Sequence, residues 1–155
     1  LFRHFPNKEA ILQSVVRWVS ERLLARVDEA IASTSQPEAA LEAVFMVHVG
    51  FVSKHPGAPR LLFGELQRGG DSAPKRLVIE LMKGYRERLM KVMAGGQATG
   101  VFDPDLDVDA AATLFIGSIQ GLVMQSLMTG QVSNLKQQAQ RVIPLYLRGL
   151  KPASR

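Results

Sequence analysis

Cysteine is absent from this sequence of 155 residues, which also contains only three histidines and one tryptophan. Without thiols the chain can form neither a disulfide framework nor a thiolate metal site, and it has no cysteine nucleophile. The Gly-x-Ser-x-Gly, phosphate-loop and His-Glu-x-x-His motifs of common catalytic centres are also missing. We therefore predict that the protein is not an enzyme, uses no cofactor and is suited to a reducing cytoplasm.

Acidic residues are missing from the last 46 residues of the chain. No Asp or Glu follows Asp109, and no charged residue of either sign occurs from Ala110 to Leu135. An uncharged run of this length meets the criterion for a membrane-spanning helix. Its hydroxyl and amide side chains would be costly in lipid, and Gly130 interrupts it. We predict a helix buried against protein, with no membrane partner.

What the sequence does contain is helical periodicity, with no convincing alternation of the strand type. Its length suits one domain with a sizeable core, and 46% of the residues are hydrophobic against 21% charged. The predicted fold is all-α, with about six helices. They cover residues 8–31, a segment capped by Ser35 that stops before Pro56, residues 60–67, a segment capped by Asp71 or Ser72 that is ended by Gly95-Gly96 and Gly100, residues 108–128 and residues 133–150.

Aromatic, methionine and histidine side chains recur on the inward stripes of several of these helices. An apolar wall with a few polar groups is the usual composition of a small-molecule site, although a plain core explains the same residues. His48 or Tyr85 would supply an orienting hydrogen bond. His48 and His55 lie two turns apart without an accompanying carboxylate, which argues against a metal site. The candidate ligand-binding residues are Phe45, His48, Phe51, His55, Phe63, Met82, Tyr85, Phe115 and Met124.

The last two predicted helices carry more apolar residues than a surface-facing pair requires. The first contains Gly117-x-x-x-Gly121, whose small residues would let two helix backbones approach closely. In a monomer such helices would expose an apolar patch large enough to mark an interaction surface. We therefore predict a homodimer through both helices, with its interface at Gly117, Gly121, Val142 and Tyr146.

The first twelve residues follow the pattern aromatic-x-His-Phe-x-x-Lys-x-x-x-Leu, with the pattern residues at Phe2, His4, Phe5, Lys8 and Leu12. This pattern resembles the signature that joins the DNA-recognition helix to the regulatory body in TetR-type (tetracycline-repressor-like) transcriptional regulators. Residues 55–63 and 100–107 are similar to two further patterns of that family. The resemblance therefore extends over nearly the whole chain.

The resemblance implies a ligand-responsive repressor whose regulatory body binds a small apolar effector and pairs with a second copy as a four-helix bundle. Residues 1–6 would be a remnant of the helix-turn-helix head, and residues 7–155 the ligand-binding and dimerisation domain. His4 and Lys8 would lie near the DNA backbone. Because most of the head would be missing, duplex operator DNA is expected as a partner of the intact protein only. Two alternatives stay open: a small helical enzyme acting on an apolar substrate, and a purely structural helical interaction module.

Overall fold

A computed structural model of the protein describes residues 7–153, and every secondary-structure element within that range is helical. This confirms the predicted all-α fold and its six helices. The remnant of the head predicted at residues 1–6, including His4, lies outside the described residues. The helices are α1 Lys8–Ala32, α2 Pro37–Lys54, α3 Gly57–Gln67, α4 Ala73–Ala98, α5 Val108–Thr129 and α6 Leu135–Arg148, with a 3-10 turn at Val132–Asn134.

Polar caps begin three of the long helices where the sequence predicts them. The side chains of Asn7, Ser72 and Asp107 each accept a hydrogen bond from a backbone N–H in the first turn of α1, α4 and α5. Such bonds satisfy donors that have no partner within the helix. Gly130 ends α5 in the left-handed conformation, with φ 71°, which a residue without a Cβ adopts at little cost.

The start of α2 differs from the predicted capping box at Ser35. The helix begins at Pro37, and Gln36 precedes it without a side-chain cap bond. Proline is well suited to the first helical position because its fixed φ is already helical and its missing N–H would be unpaired there. The third helix also begins earlier than predicted, at Gly57 and not at Arg60.

Of the glycines predicted to end α4, Gly95 and Gly96 lie within the helix, which continues to Ala98, whereas Gly100 follows it in the left-handed conformation, with φ 80°. Gly96 instead provides space for the ring of Phe102, since a Cβ at this position would lie 2.1 Å from Phe102 Cδ2. Phe102 is fully buried, and its backbone N–H donates to the Gly96 carbonyl at 3.1 Å. The segment between α4 and α5 therefore contributes a core residue.

Helix α2 lies at the centre of the bundle. It packs against α1, α4, α5 and α6, while α3 packs on α4. Within the described range, α5 is the one helix long and apolar enough to cross a membrane; in the structure it packs on α2, α4 and α6. The apolar stripes of these helices form one continuous core whose largest fully buried side chains are Tyr85, Phe45, Phe102, Phe115, Leu41 and Leu89.

Candidate functional site

A cavity of about 90 Å³ lies among α1, α2, α3, α4 and α5. Its wall is apolar except for His48, Tyr85 and Gln120, the composition expected of a small-molecule site. Pockets that enclose drug-sized ligands usually measure roughly 300–1,000 Å³, so a ligand of that size requires the wall to move. The other wall residues are Val19, Leu23, Phe51, Val52, Ala58, Pro59, Leu62, Phe63, Leu66, Val78, Leu81, Met82, Ile116, Ile119 and Val123.

Helix α3 is the part of the wall with the weakest attachment to the bundle. Only Pro59 and Glu65 of this helix are buried, and no side chain caps its N-terminus. At its other end the Glu65 carboxylate accepts hydrogen bonds from the Ser72 hydroxyl at 2.6 Å and from Arg68 Nη1 at 3.2 Å. The bond from Ser72 holds the pKa of Glu65 below its usual range. Helix α3 is thus held at its C-terminal end to the cap of α4.

His48 and Tyr85 form a hydrogen-bonded pair in the cavity wall. The distance between His48 Nδ1 and the Tyr85 hydroxyl oxygen is 2.7 Å. Burial lowers the pKa of His48 to about 4 and raises the pKa of Tyr85. Both groups are therefore uncharged at pH 7. The pair can orient a ligand through a neutral hydrogen bond, since either side chain can donate or accept.

Mild acid should destabilise the protein through His48. The folded state keeps the imidazole neutral down to about pH 4, whereas the unfolded chain takes up a proton below its ordinary pKa of about 6.5. The free energy of unfolding should therefore fall as the pH is lowered from about 6.5 to 4, by up to about 3 kcal/mol. Urea unfolding at several pH values measures this slope. In His48→Gln the slope over the same range should be smaller, and equal slopes in both proteins would contradict the assignment.

Five of the nine candidate ligand-binding residues lie in the cavity wall. Helix α2 contributes His48 and Phe51, α3 contributes Phe63, and α4 contributes Met82 and Tyr85. They converge from three helices on one space, as their inward stripes suggested. Their role in binding a ligand stays a prediction.

The other four candidates lie outside the wall of this cavity. Phe45 and Phe115 are fully buried and pack edge to face, with their ring centroids 5.4 Å apart. Met124 is on the outer side of α5 and is 42% exposed. His55 follows α2 and packs edge-on against Trp18, at 4.9 Å between ring centroids. The inward-facing residues of a helix thus line the cavity at some positions and pack in the ordinary core at others. Their residue types do not show which positions line the cavity.

Sequence reasoning missed much of the wall that α3 and α5 provide. Ala58 and Pro59 lie before the predicted start of the third helix, and Leu62 of α3 and Ile116 of α5 look like any core residue. Gln120 is the wall residue that the sequence could have indicated, because it is an amide within an uncharged apolar helix. That signal alone does not distinguish a cavity wall from a surface position.

A second feature of the described residues is an exposed apolar stripe on α5 and α6. Leu114, Met128 and Leu145 are 60%, 79% and 66% exposed. Between them on α5, an added Cβ at Gly117 or Gly121 would have no atom within 4 Å. A surface of this kind is typical of an interaction site.

Of the predicted interface residues, Tyr146 does not lie on this stripe. Its ring packs against Phe115, and its hydroxyl donates a hydrogen bond to the carbonyl of Ala111. Burial raises the pKa of Tyr146. Tyr146 of α6 therefore faces α5 within the same chain, and its ring lies beneath the exposed stripe. Val142, in contrast, is half-buried within α6 and packs against the core.

The chain matches the family model described as YsiA-like protein, C-terminal region, over residues 19–149. Curated relatives include the nucleoid occlusion factor SlmA of Marinomonas sp., 23% identical over 79% of the chain and 62% of the relative. The HTH-type transcriptional repressor KstR2 of Mycobacterium tuberculosis is 28% identical over 70% of the chain and 54% of the relative. The chain thus spans little more than half the length of these relatives.

Solved structures share the fold over nearly the whole chain. The transcriptional regulator FadR of Bacillus subtilis, crystallised with stearoyl-CoA, has a TM-score of 0.83 at 23% identity, covering 96% of this chain and 80% of that one. KstR2 of Mycobacterium tuberculosis has a TM-score of 0.80 at 22% identity, covering 98% and 77%. At these identities the likeness establishes the arrangement of helices.

Proposed function

Because the chain belongs to the TetR family of transcriptional regulators, through its YsiA-like C-terminal region, we propose that it is the effector-binding and dimerisation part of a ligand-responsive repressor. The observation that carries the proposal is the apolar cavity with its neutral His48–Tyr85 pair. The KstR2 and FadR relatives are named as a transcriptional repressor and a transcriptional regulator, which supports this role. We expect no catalysis by this chain and a cytoplasmic location.

The cavity and the start of α1 are joined by a continuous helix. Val19 and Leu23 of α1 form part of the wall, and the same helix begins at Lys8. The resemblance to the TetR family implies that the DNA-reading head precedes this helix in the intact protein. An effector that enlarges the cavity would displace α1 and so change the position of the head. The effector must prefer the conformation that does not bind DNA, because differential affinity is the only source of such a shift.

We propose that Lys8 contacts a DNA phosphate in the intact protein. It is exposed in the first turn of α1, and the N-terminus of a helix attracts phosphate through its unpaired N–H groups. In the same turn, Glu9 accepts a hydrogen bond from the backbone N–H of Ala73 at 3.4 Å. This bond links the start of α1 to the start of α4. Lys8 would position the protein on operator DNA without reading its sequence.

We also propose that two copies pair through the exposed stripe of α5 and α6. The pairing would cover Leu114, Met128 and Leu145 and would bring the open sides of Gly117 and Gly121 against a partner helix. A two-fold interface uses the same patch on both copies, so one apolar stripe is sufficient. The large burial of apolar surface would provide the driving force.

An effector of mostly apolar character should raise the melting temperature of this chain. Binding to the folded state alone stabilises it by roughly 2.7 kcal/mol when the ligand is at a hundred times its dissociation constant. A thermal-shift screen of hydrophobic compounds on the wild type, Ala58→Leu and Ala39→Leu measures the effect. Ala58 lies in the cavity wall, whereas Ala39 is exposed on α2.

Compounds that act through the cavity should raise the melting temperature of the wild type and of Ala39→Leu, but much less that of Ala58→Leu. The same compounds should release operator DNA from the intact protein in a mobility-shift assay. Compounds that stabilise all three chains equally would place the effector site elsewhere.

A further inference from the structure

The apolar cavity adjoins a basic depression on the surface between α4 and α5. The depression has a volume of about 400 Å³ and is lined by Met82, Lys83, Arg86, Thr113, Ile116 and Gln120. Three of these residues, Met82, Ile116 and Gln120, also line the cavity. The two spaces therefore share a boundary, with an apolar interior on one side and two cations on the other.

Arg86 is held at the rim of this depression by groups from α5. Its Nη1 donates to Asp109 Oδ1 at 2.9 Å and to the Asp109 carbonyl at 3.1 Å, and its Nη2 donates to Thr113 Oγ1 at 2.8 Å. A guanidinium has five N–H donors, so these three bonds leave capacity for another acceptor. Lys83 lies one turn earlier and is exposed, and it forms no salt bridge within residues 7–153.

The cavity itself has no charged side chain that could form an ion pair with a charged ligand group. Across the described part of the chain, no Lys, Arg, Asp or Glu lines it, and its His48–Tyr85 pair is neutral at pH 7. Burying an unpaired charge there would be very costly. A charged ligand group must therefore stay at the depression, while an apolar group gains by entering the cavity.

Building on the proposed effector role, we propose that this site binds an anionic amphiphile, with its narrow apolar tail in the cavity and its head on Lys83 and Arg86. A carboxylate or phosphate head matches the guanidinium geometry and can form charge-assisted hydrogen bonds with both cations. The head would compete with Asp109 for Arg86. Binding would thus weaken the tie between α4 and the first turn of α5.

Four decyl compounds with the same tail test this assignment: decanoate, decyl phosphate, decanol and decyltrimethylammonium, each below its micelle concentration. The single tryptophan reports binding, because the Trp18 ring centroid lies 6.1 Å from that of Phe51 in the cavity wall. At least one of the two anions should bind about tenfold more tightly than decanol, and the cation should bind most weakly. The better of the two anions distinguishes a carboxylate from a phosphate head.

Variants that remove a charge test whether Lys83 and Arg86 bind the head group. Lys83→Gln combined with Arg86→Gln should weaken the preferred anion about tenfold and leave decanol unchanged. Asp109→Asn should strengthen the anion, because it frees Arg86. Lys91→Gln is the matched control, since Lys91 is exposed on the same helix and lines neither space.

The outcomes separate this inference from the effector role itself. If decanol binds as tightly as both anions, or if no decyl compound binds, the head-group site is wrong. Equal weakening of decanol and anion in the double variant would also overturn it. If Ala58→Leu nevertheless abolishes the binding of decanol, the cavity is the effector site but has no head-group site. If Ala58→Leu blocks no compound that binds, the proposed effector cavity itself fails.

Discussion

Replacing Phe102 with alanine is expected to lower the free energy of unfolding by about 3–5 kcal/mol, the usual cost of removing a buried aromatic ring. Phe102 is fully buried against Gly96. The neighbouring N–H of Asp103 donates to the Leu150 carbonyl at 2.8 Å, and the Gln97 side-chain amide donates to the Leu106 carbonyl at 2.9 Å. These bonds hold the segment in place, so it cannot readily collapse into the space that the ring leaves. Urea unfolding monitored by circular dichroism measures the loss.

Phe63→Ala is the matched control for this experiment. It removes the same atoms from a half-buried ring that already faces the cavity, so fewer contacts are lost and the cost should be smaller. A second check comes from Gly96→Ala, where the added Cβ must displace the Phe102 ring. Overpacking of this kind costs about 1–3 kcal/mol. If Phe102→Ala cost less than Phe63→Ala, the placement of Phe102 in the core would be contradicted.

Replacing Gly121 with phenylalanine should split the proposed dimer while leaving the fold of each chain intact. An added Cβ at Gly121 has no atom within 4 Å in the single chain, so a side chain at this position begins in open space. Across a close helix contact it would overpack the interface, at a cost of about 1–3 kcal/mol. Each 1.4 kcal/mol raises the dissociation constant about tenfold. Sedimentation velocity at micromolar concentration measures the shift from dimer to monomer.

Gly50→Phe provides the control for association. Gly50 is an exposed glycine on α2 whose added Cβ also has no neighbour within 4 Å, and it lies off the stripe of α5 and α6. This variant should sediment as the wild type does, and both variants should keep the wild-type circular dichroism spectrum. A wild-type chain that sediments as a monomer would rule out the interface, as would dissociation in Gly50→Phe alone.

The dimer experiment also bears on the buried Tyr146. Sequence reasoning assigned this residue to the interface because α6 contains many apolar residues in a row. The structure turns Tyr146 toward Ala111 of the same chain and leaves Leu145 exposed instead. Adjacent residues on a helix point about 100° apart. An apolar run therefore does not reveal which of its members faces the core and which faces a partner.

The cavity illustrates the same limit for the ligand site. Phe51 and Phe115 both lie on inward stripes, but Phe51 borders the cavity and Phe115 packs against Phe45. Whether a stripe residue meets a cavity or another side chain depends on the distance between helices that are remote in sequence. No local pattern contains that distance.

The sequence by itself determined the helical class and most helix ends of this protein, because these depend on interactions within a few residues. It also determined the family, through a match that extends over residues 19–149. Periodic apolar positions, and caps such as Asn7, Asp107 and Gly130, act within one or two turns. Only the tertiary structure decided that Gly96 continues a helix and receives Phe102, and that Lys83 and Arg86 border an apolar cavity. The physical reason is that packing joins residues from different helices, so space and charge at each position are set by neighbours distant along the chain.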